Sequence, residues 1–419
     1  MKTVFAFFAA RRYWKEEDKL QAAYGELSSL AGENECVLLT EAEDVASLPA
    51  GDCLVAVPMS GAVQKNVLAA AGRYDSCVLY GAYIRGNARA AVCEEMLRCN
   101  AAPTLMDTWG VLHRRSPRVM LALNAAQLAD KLQVLAAYHH VKNARLLKIG
   151  ETEPWVVSNA ERTEMYTEKL GVEIVPVPQA ELAALYEEAG EEQAKSYYDW
   201  FAGHSKGCQE PTEEDLWNAA RMAWALHTLL NRYDADGCAL ACFNLLQTGT
   251  IVCLGVSYVN DCTGMVAACE GDMDSAVTML LMKKLTATRL WMANPGLQPD
   301  GSINFSHCTG PVCCLGAPLP YTLRSHHESG IGVSLQIEMP VGQTVTACRV
   351  SDNAGSMTIH RGVTKTGPYE PACRTQMHVL LEDTDHYLRT ALGCHQVFAY
   401  EDITGKLRDL AELLGLRVI

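Results

Sequence analysis

The chain has no long apolar run and no basic tract, and each absence excludes a class of partner. None of its apolar runs reaches the roughly 18 residues that a membrane-spanning helix needs. Acidic residues outnumber basic residues by 49 to 35, which gives a formal net charge of -14. Binding to a phosphate backbone needs clustered Lys and Arg, which this chain does not offer. We therefore expect neither a membrane nor a nucleic acid as a partner.

The start of the chain also lacks the features of a secretory leader. The apolar segment 4–10 is followed directly by Arg11 and Arg12, without a small-residue cleavage site. We interpret this segment as a first β-strand. The 17 cysteines show neither a disulfide-like framework nor the paired spacing of a zinc ribbon. We therefore predict a cytoplasmic protein whose cysteines are mostly small, buried hydrophobic residues.

Common cofactor and metalloprotease signatures are missing as well. No GxGxxG pattern follows a predicted strand, no GxxxxGK(S/T) pattern occurs, and no HExxH pattern occurs. The composition, with 49% hydrophobic and 20% charged residues, is that of an ordinary globular protein. Because 419 residues exceed one ordinary hydrophobic core, we expect two or three domains.

The first part of the chain, residues 1–143, alternates short apolar runs with helical patterns. The predicted strands are 3–9, 36–39, 53–57 and 77–80, the predicted helices are 16–30, 63–71 and 88–98, and 104–112 reads as extended. Such βα alternation is typical of a parallel, doubly wound sheet. We therefore predict a first α/β domain over residues 1–143.

Two further domains are predicted from changes of pattern along the rest of the chain. Residues 144–300 return to strand and helix alternation, with a helix that begins at Thr212 in a sequence resembling a capping box. From residue 301 to residue 419, short alternating segments are separated by turns rich in Gly, Asp and Asn. This texture predicts a β-rich module, either a barrel or a sandwich.

Polar residues at predicted strand ends mark the candidate site. Glu270 follows the apolar run 265–268 and precedes a long amphipathic pattern, so we place it at the C-terminal end of a strand. In α/β proteins, ligands bind at the C-terminal ends of the strands. A buried Glu with His307 about one strand away is typical of half of a divalent-metal site. Asp272 is either part of that site or the N-cap of the helix that follows it. A lone histidine such as His395 is more often a hydrogen-bonded core residue than a ligand.

Several short motifs in a fixed order carry a family resemblance. They are Cys269-Glu270-Gly271-Asp272 and the segments 291–295, 306–311, 327–329, 373–376 and 393–395. In this order and spacing the chain resembles the L-fucose isomerase and L-arabinose isomerase superfamily, and within it the fucose-isomerase-like proteins. The resemblance is most specific from about residue 254 to residue 419. It implies two Rossmann-like, doubly wound α/β domains followed by a C-terminal β-barrel-like module.

The resemblance also implies a function and a set of roles. Members of the superfamily interconvert aldoses and ketoses with a divalent cation, usually Mn²⁺, and are often homotrimers or homohexamers. Glu270 would be both a metal ligand and an acid/base group, Asp272 a second catalytic group, and His307 and His395 metal ligands. The residues that would contact the sugar are Asn294, His327, Glu328, Arg374 and Gln376.

Two departures from the superfamily pattern leave two hypotheses open. Ala293 and Asn294 fall where the second metal carboxylate is expected, and Gln396 falls where the arabinose-type enzymes carry a second histidine. Losing one anionic ligand weakens cation binding and removes one proton-transfer group. The first hypothesis is a metal-dependent isomerase of an unusual or modified sugar. The alternative is a catalytically silent, sugar-binding or regulatory relative on the same scaffold.

Overall fold

A computed structural model describes residues 1–82 and 96–419 of the chain. The chain divides into two compact units, Met1–His139 and His140–Ile419, which are treated separately below. Most of the predicted helix 88–98 lies outside the described residues. The mixed α/β class with parallel sheets is confirmed in both units.

The first unit is built on a five-stranded parallel sheet. Its strands are β1 (Thr3–Phe8), β2 (Glu35–Leu39), β3 (Cys53–Pro58), β4 (Ser76–Tyr80) and β5 (Val119–Ala122). They lie in the order β2-β1-β3-β4-β5, which is one of the common orders of doubly wound sheets. Every residue of β1, β3 and β4 is buried. That burial explains why these strands read as unbroken apolar runs without alternation.

The helices of the first unit include one that the sequence patterns did not predict. The helices are Glu17–Ser28, Gln64–Ala71, Ala102–Leu112 and Ala125–Lys142, the last of which extends three residues past the end of the unit. The prediction that 104–112 is extended is wrong. The buried positions Thr104, Leu105, Thr108 and Leu112 follow helical spacing, and Pro103 lies in the first turn, where its missing N–H costs nothing. The Thr108 hydroxyl donates to the carbonyl of Thr104 at 2.7 Å, so this β-branched residue is accommodated inside the helix.

The second unit contains a four-stranded parallel sheet and the helices around it. The strands are β6 (Arg145–Ile149), β7 (Glu173–Val177), β8 (Gly237–Leu240) and β9 (Val266–Ala268), in the order β7-β6-β8-β9. The helices are Glu164–Leu170, Gln179–Glu188, Glu191–His204, Glu213–Arg232, Cys253–Cys262 and Met273–Lys283. The predicted capping box is confirmed, because Thr212 Oγ1 accepts from the Asp215 backbone N–H and Asp215 accepts from the Thr212 backbone N–H.

The same unit contains a ring of antiparallel strands. Its members are β10 (Trp291–Leu297), β11 (Ile303–His307), β14 (Thr344–Ser351), β15 (Ser356–Lys365), β16 (Thr375–Leu381) and β17 (Gln396–Ala399). The neighbours run β14-β17-β10-β11-β16-β15, and β15 pairs back with β14, so the ring closes. A core that includes Trp291, Phe305 and Phe398 lies between these strands. The ring begins at Trp291, so the predicted domain boundary at residue 300 falls inside it.

The remaining elements of the second unit are small. They are the hairpin β12 (Tyr321–Arg324) and β13 (Ser334–Ile337), the short strand β18 (Arg417–Val418) beside β15, and the helices Thr384–Arg389 and Thr404–Leu414. Among the described helices, none combines the length and the apolar character that crossing a bilayer requires.

Candidate metal centre

Glu270 lies just beyond the C-terminal end of β9 in an uncommon backbone conformation. Its φ is +60°, and the φ of Gly271 is +62°. A non-glycine residue with positive φ is strained, and such strain persists only where the surroundings fix it. Here the Glu153 N–H donates to the Glu270 carbonyl at 3.0 Å, and the Gly271 N–H donates to the Leu240 carbonyl at 2.9 Å. The loop after β6 and the last residue of β8 therefore hold the Glu270-Gly271 backbone in place.

Gly271 is required at its position for two reasons. Besides its positive φ, a Cβ at residue 271 would lie 2.7 Å from Thr152 Cα, which is closer than real Cβ contacts. The Thr152 hydroxyl and the Asn159 side-chain amide both donate to the Gly271 carbonyl, each at 3.0 Å. The Glu-Gly pair thus turns the chain sharply against the loop after β6 and directs the Glu270 side chain toward the antiparallel ring.

Two histidines at the ends of strands of the antiparallel ring meet the Glu270 carboxylate. His307 is the last residue of β11, and His395 immediately precedes β17. The Nε2 atoms of His307 and His395 each lie 3.4 Å from Glu270 Oε1. One ligand atom from each of the three residues falls within 4.8 Å of the other two. The structure therefore brings together the three residues that the sequence pointed to as metal ligands.

The three residues fit a divalent cation. The side chains of His307 and His395 are 5% and 0% exposed, and neither Nε2 atom has a hydrogen-bond partner among the described residues. At 3.4 Å, the contacts with Glu270 are too long for strong hydrogen bonds. A buried polar atom without a partner costs roughly 1–3 kcal/mol. Two such nitrogens facing one carboxylate therefore favour the binding of a cation between them. Two imidazoles and one carboxylate suit Zn²⁺, Fe²⁺ or Mn²⁺, and the donor set alone does not select among them.

The electrostatics of the cluster favour bound positive charge. Burial alone would raise the pKa of Glu270, but the contacts with His307 and His395 hold that pKa well below its usual range. Burial alone would lower the pKa of His395, but the contacts of its ring with Asp272, Cys394 and Glu270 raise that pKa well above its usual value. Both shifts follow from the attraction between the imidazoles and the negative charge of the buried carboxylates of Glu270 and Asp272. A divalent cation would satisfy that charge directly.

Asp272 supports His395 from behind. His395 Nδ1 lies 2.8 Å from Asp272 Oδ2, so Nδ1–H donates to the carboxylate and Nε2 is left to face Glu270. Asp272 is fully buried and also caps the helix Met273–Lys283, because its Oδ1 accepts from the Ser275 N–H at 3.0 Å. The N-cap interpretation of Asp272 is therefore confirmed. Its contact with the site runs through His395, and a direct catalytic role stays a prediction.

Thr309 supports His307 in a similar way. His307 Nδ1 lies 3.1 Å from Thr309 Oγ1 and 3.3 Å from the Thr309 backbone N. A cation on Nε2 requires the proton to be on Nδ1, where it must donate and not accept. The Thr309 hydroxyl is then the acceptor, and the longer contact with the backbone N–H is given up. Thr309 is buried, so the hydroxyl has little competition from water.

Trp155 touches the site and was not predicted from the sequence. Its indole N–H donates to Glu270 Oε2 at 2.7 Å, which leaves Oε1 to face the histidines. The Trp155 side chain is half exposed, and its ring lies edge-on to Phe243 with centroids 4.8 Å apart. Trp155 lies in the loop that follows β6. Glu270 was predicted as a site residue because ligands bind at the C-terminal ends of parallel strands, and the same rule would have predicted this loop as part of the site.

Arg349 was also missed by the sequence reasoning. It lies in the middle of β14, is 0% exposed, and its Nη1 lies 3.0 Å from Asp272 Oδ2. The available signal was a charged residue inside an otherwise buried strand segment, between Cys348 and Val350. Charged residues are almost never fully buried unless they are paired. That signal announces a buried partner but does not say which residue it is.

Asn294 lies in the strand between those that lead to the two histidines. Its strand, β10, pairs with β11 on one side and β17 on the other, and Asn294 itself is opposite Ser306. Ala293, the neighbouring position, is part of the barrel core. The sequence therefore places an amide, and no carboxylate, at this point of the barrel end.

The other residues predicted to contact sugar have varied surroundings. Arg374 donates to the Ser325 carbonyl at 2.9 Å, and its second nitrogen lies 3.2 Å from Ser325 Oγ. The Gln376 amide is bonded to both backbone groups of Glu370 and to the Asn304 side chain, so it braces a loop. His327 is partly buried and Glu328 is exposed. No described contact joins these four residues to Glu270, and their substrate roles stay predictions.

One further motif resembles a nucleophile signature without the geometry of one. Residues 203–207 read Gly-His-Ser-Lys-Gly, which matches the GxSxG pattern of hydrolases. That pattern requires a sharp strand-to-helix turn, whereas Ser205 follows the C-terminal end of the helix Glu191–His204. Its hydroxyl donates to the Ala202 carbonyl at 3.2 Å. We therefore assign Ser205 to helix termination.

Comparison with known proteins adds no identification. Neither the protein-family models nor the curated proteins contain a match to this chain. The resemblance to sugar isomerases therefore depends on the motifs quoted above, and the site must be argued from its own geometry.

Proposed function

We propose that this protein binds a divalent cation through Glu270, His307 and His395 and interconverts an aldose and a ketose. The observation that carries the proposal is the convergence of three ligand atoms within 4.8 Å, two of them buried nitrogens without hydrogen-bond partners. Metal-binding histidines normally have a hydrogen-bond partner on their second ring nitrogen, and here His395 has the Asp272 carboxylate and His307 has the Thr309 hydroxyl.

The chemistry of an isomerase fits the residues around the cluster. A divalent cation, when bound, would polarise the carbonyl and adjacent hydroxyl oxygens of an open-chain sugar. The chain itself must move a proton between C1 and C2 of that sugar through an ene-diol. Glu270 Oε1 faces the two histidines, whereas Oε2 faces the half-exposed Trp155. We assign the proton transfer to Oε2, because it lies on the side that a substrate can approach.

Mn²⁺ is the cation we propose first, by resemblance to the superfamily. The donor set itself also suits Zn²⁺ and Fe²⁺, since two histidines and one carboxylate form sites for all three ions. Titration of the metal-free protein with each ion in turn, under the same buffer, gives the order of affinity. Aldose–ketose activity measured with each ion shows which one supports chemistry.

A second function is supported by a specific observation at the barrel end. Strand β10 offers Ala293 and Asn294 beside the two histidines and supplies no second carboxylate. A protein that holds a cation weakly, or not at all, and binds a sugar without converting it would fit this arrangement. We therefore keep a silent sugar-binding or regulatory relative as the alternative.

The test combines metal analysis with a substrate panel. Purified protein is stripped of metal, reloaded with Mn²⁺, and assayed for interconversion of aldopentoses, aldohexoses and their deoxy forms. The isomerase proposal expects one bound cation per chain, turnover of at least one sugar, and loss of both in Glu270→Gln. Glu151→Gln, which changes an exposed carboxylate on the neighbouring loop, is the matched control and should change neither. Cation binding with sugar binding but no turnover would favour the silent relative.

A further inference from the structure

We infer that Arg349 is a positioning residue of the candidate metal centre, which it serves by holding His395 in its ligating orientation. The inference rests on the proposed cation site for its functional meaning, although the contacts exist without it. Arg349 lies in β14, outside every motif that suggested the site. It reaches His395 by two routes, one through Asp272 and one through the main chain.

The first route joins the guanidinium, a carboxylate and the imidazole. Arg349 Nη1 lies 3.0 Å from Asp272 Oδ2, and Nη2 lies 3.3 Å from Asp272 Oδ1, so the contact is bidentate. Oδ2 of the same carboxylate accepts from His395 Nδ1 at 2.8 Å. The planar fork of Arg fixes the carboxylate plane, and the carboxylate then fixes the rotation of the imidazole ring. A lysine would supply the charge without the plane.

The second route holds the backbone of His395. Arg349 Nη1 also donates to the His395 carbonyl at 3.0 Å, and Nη2 donates to Ser158 Oγ at 2.7 Å. The histidine is therefore fixed at its carbonyl and at its ring by one side chain. Because His395 precedes β17, which pairs with β14, the guanidinium also ties two adjacent barrel strands to the helix that Asp272 caps.

Gly393 gives independent support for a space kept for Arg349. A Cβ at residue 393 would lie 2.5 Å from Arg349 Nε and 2.6 Å from Ser158 Oγ. Contacts that short do not occur, so a side chain at this position would displace the guanidinium. The glycine two residues before His395 therefore has a physical reason, which is to admit the side chain that orients the histidine.

Asp274 provides a matched control within the same network. Arg349 Nη2 lies 3.4 Å from Asp274 Oδ2, and the Tyr166 hydroxyl donates to Asp274 Oδ1 at 2.7 Å. Burial raises the pKa of Asp274 to about 7, although Arg349 opposes the rise. Asp274 thus faces the same guanidinium as Asp272, but within the described part of the chain it makes no hydrogen bond or ion pair with His395. Replacing it disturbs the buried ion network without disturbing the path to the histidine.

A purely structural role for Arg349 is the rival explanation. Removing one partner of a buried ion pair is strongly destabilising in general, so a loss of stability alone would decide nothing. The two explanations differ in what happens to the metal in protein that remains folded. The structural role predicts parallel losses for Arg349 and Asp274 variants, whereas the positioning role predicts a loss of metal affinity that is specific to Arg349.

The experiment compares Arg349→Lys with Asp274→Asn in metal-free protein titrated with Co²⁺. Circular dichroism and thermal unfolding establish that each variant is folded. Calorimetry gives the dissociation constant, and d–d absorption reports the geometry of the bound ion. We expect Arg349→Lys to bind Co²⁺ about 10–100-fold more weakly with a shifted absorption band, as for other residues that orient metal-binding histidines. Asp274→Asn should stay within about twofold of wild type. Equal binding in wild type and Arg349→Lys, or equal losses in both variants, would overturn the inference.

Two additions keep the outcome decisive. If Arg349→Lys does not fold, Ser158→Ala removes only one acceptor of the guanidinium and should weaken Co²⁺ binding about threefold, the effect of one net hydrogen bond. An unchanged dissociation constant there would count against the inference. If the wild type binds no cation, the proposed function fails, and ¹⁵N-histidine NMR tests Arg349 separately. We then expect the Nδ1–H of His395 to be protected from exchange in the wild type and in Asp274→Asn. That protection should be lost in Arg349→Lys, or weakened in Ser158→Ala if Arg349→Lys does not fold. Its persistence in the folded variant would contradict the inference.

Discussion

Glu270 shows how much of the candidate site depends on single residues. Its positive φ is a local cost that is held by contacts with the loop after β6 and the end of β8, and its two carboxylate oxygens face different partners. The sequence indicated Glu270, His307 and His395 because each occurs in a short motif at a predicted strand end. Trp155 and Arg349 were not predicted as site residues, because their contacts depend on which distant loops and strands fold next to them. A sequence pattern contains no such information.

Thr309 offers the sharpest prediction at the scale of one hydroxyl. Thr309→Ala removes the acceptor that allows His307 to carry its proton on Nδ1, and leaves only a backbone N–H facing that nitrogen. We expect Mn²⁺ or Co²⁺ affinity to fall about tenfold, in line with other groups that orient metal-binding histidines. Calorimetric titration of the metal-free protein measures the change. Thr309→Ser keeps the hydroxyl and should restore affinity; a Ser variant as weak as the Ala variant would contradict this role.

Asn294 tests whether a ligand has been lost from the barrel end. Asn294→Asp adds one anionic oxygen on the strand between those that lead to His307 and His395, and hard cations favour such oxygens. We expect tighter Mn²⁺ binding by titration calorimetry. New aldose–ketose activity in this variant, absent from the wild type, would favour the silent relative. Unchanged or weaker binding, with a wild type that already holds metal, would show that the centre needs no ligand from β10.

At the scale of elements, strand ends and helix caps were the most predictable features. The capping box at Thr212 and the helix start after Asp272 follow from local residue chemistry, and the structure contains both. The helix Ala102–Leu112 was missed because its β-branched and aromatic residues favour strands locally, whereas its burial pattern is helical. The closure of the antiparallel ring is a matter of long-range pairing. Short alternating segments are equally compatible with a sandwich and with a barrel.

The Glu270-Gly271 turn can be tested as an element. Gly271→Ala combines a positive φ with a Cβ 2.7 Å from Thr152 Cα, whereas Gly264→Ala has a positive φ and no described atom within 4 Å of its Cβ. The strain alone costs about 1–2 kcal/mol. We expect Gly264→Ala to lose about that much stability in denaturant unfolding and to keep its cation affinity. Gly271→Ala should lose more stability and also bind the cation more weakly. Equal losses with intact binding would show that the turn does not position Glu270.

Asp261 gives the helix Cys253–Cys262 a pH-dependent contact. Its carboxylate accepts from the Val312 and Cys313 N–H groups at 2.7 and 3.1 Å, yet burial raises its pKa to about 7. Because the pKa in the folded state lies above the value of 3.8 for an unperturbed Asp, the stability contributed by the protonated form is full below about pH 4 and is lost as pH rises toward 7.

The matched variant for this contact is Asp261→Asn, which resembles the protonated acid at every pH. We expect the free energy of unfolding of wild type, relative to Asp261→Asn, to fall by about 2–4 kcal/mol between pH 4 and pH 8. Denaturant unfolding at intervals across this range measures the difference. A difference that is constant, or that grows in favour of the wild type with rising pH, would mean that the two N–H donors outweigh burial.

For the whole molecule, the sequence predicted the class of fold better than it predicted which segments pack together. The α/β character and parallel sheets follow from the alternation of patterns. The contacts within residues 140–419, however, join the second parallel sheet and the antiparallel ring in one compact unit. Which segments pack together is set by matching apolar faces across large sequence distances.

Assembly remains a prediction at this scale. By resemblance to the superfamily we expect a homotrimer or homohexamer. Light scattering coupled to size-exclusion chromatography should then give three or six times the 45.7 kDa of one chain. A concentration-independent mass of one chain would contradict that expectation, although it would leave the cation site untouched because its three ligands belong to the same chain.

The central claim is that Glu270, His307 and His395 hold a divalent cation. Its most direct test is an anomalous difference map from crystals of the metal-free protein soaked in Mn²⁺, with data collected where manganese scatters anomalously. The account predicts one strong peak within bonding distance of Glu270 Oε1 and of the Nε2 atoms of both histidines. A map with no peak among these three residues, from crystals in which the site is open to solvent, would contradict the account.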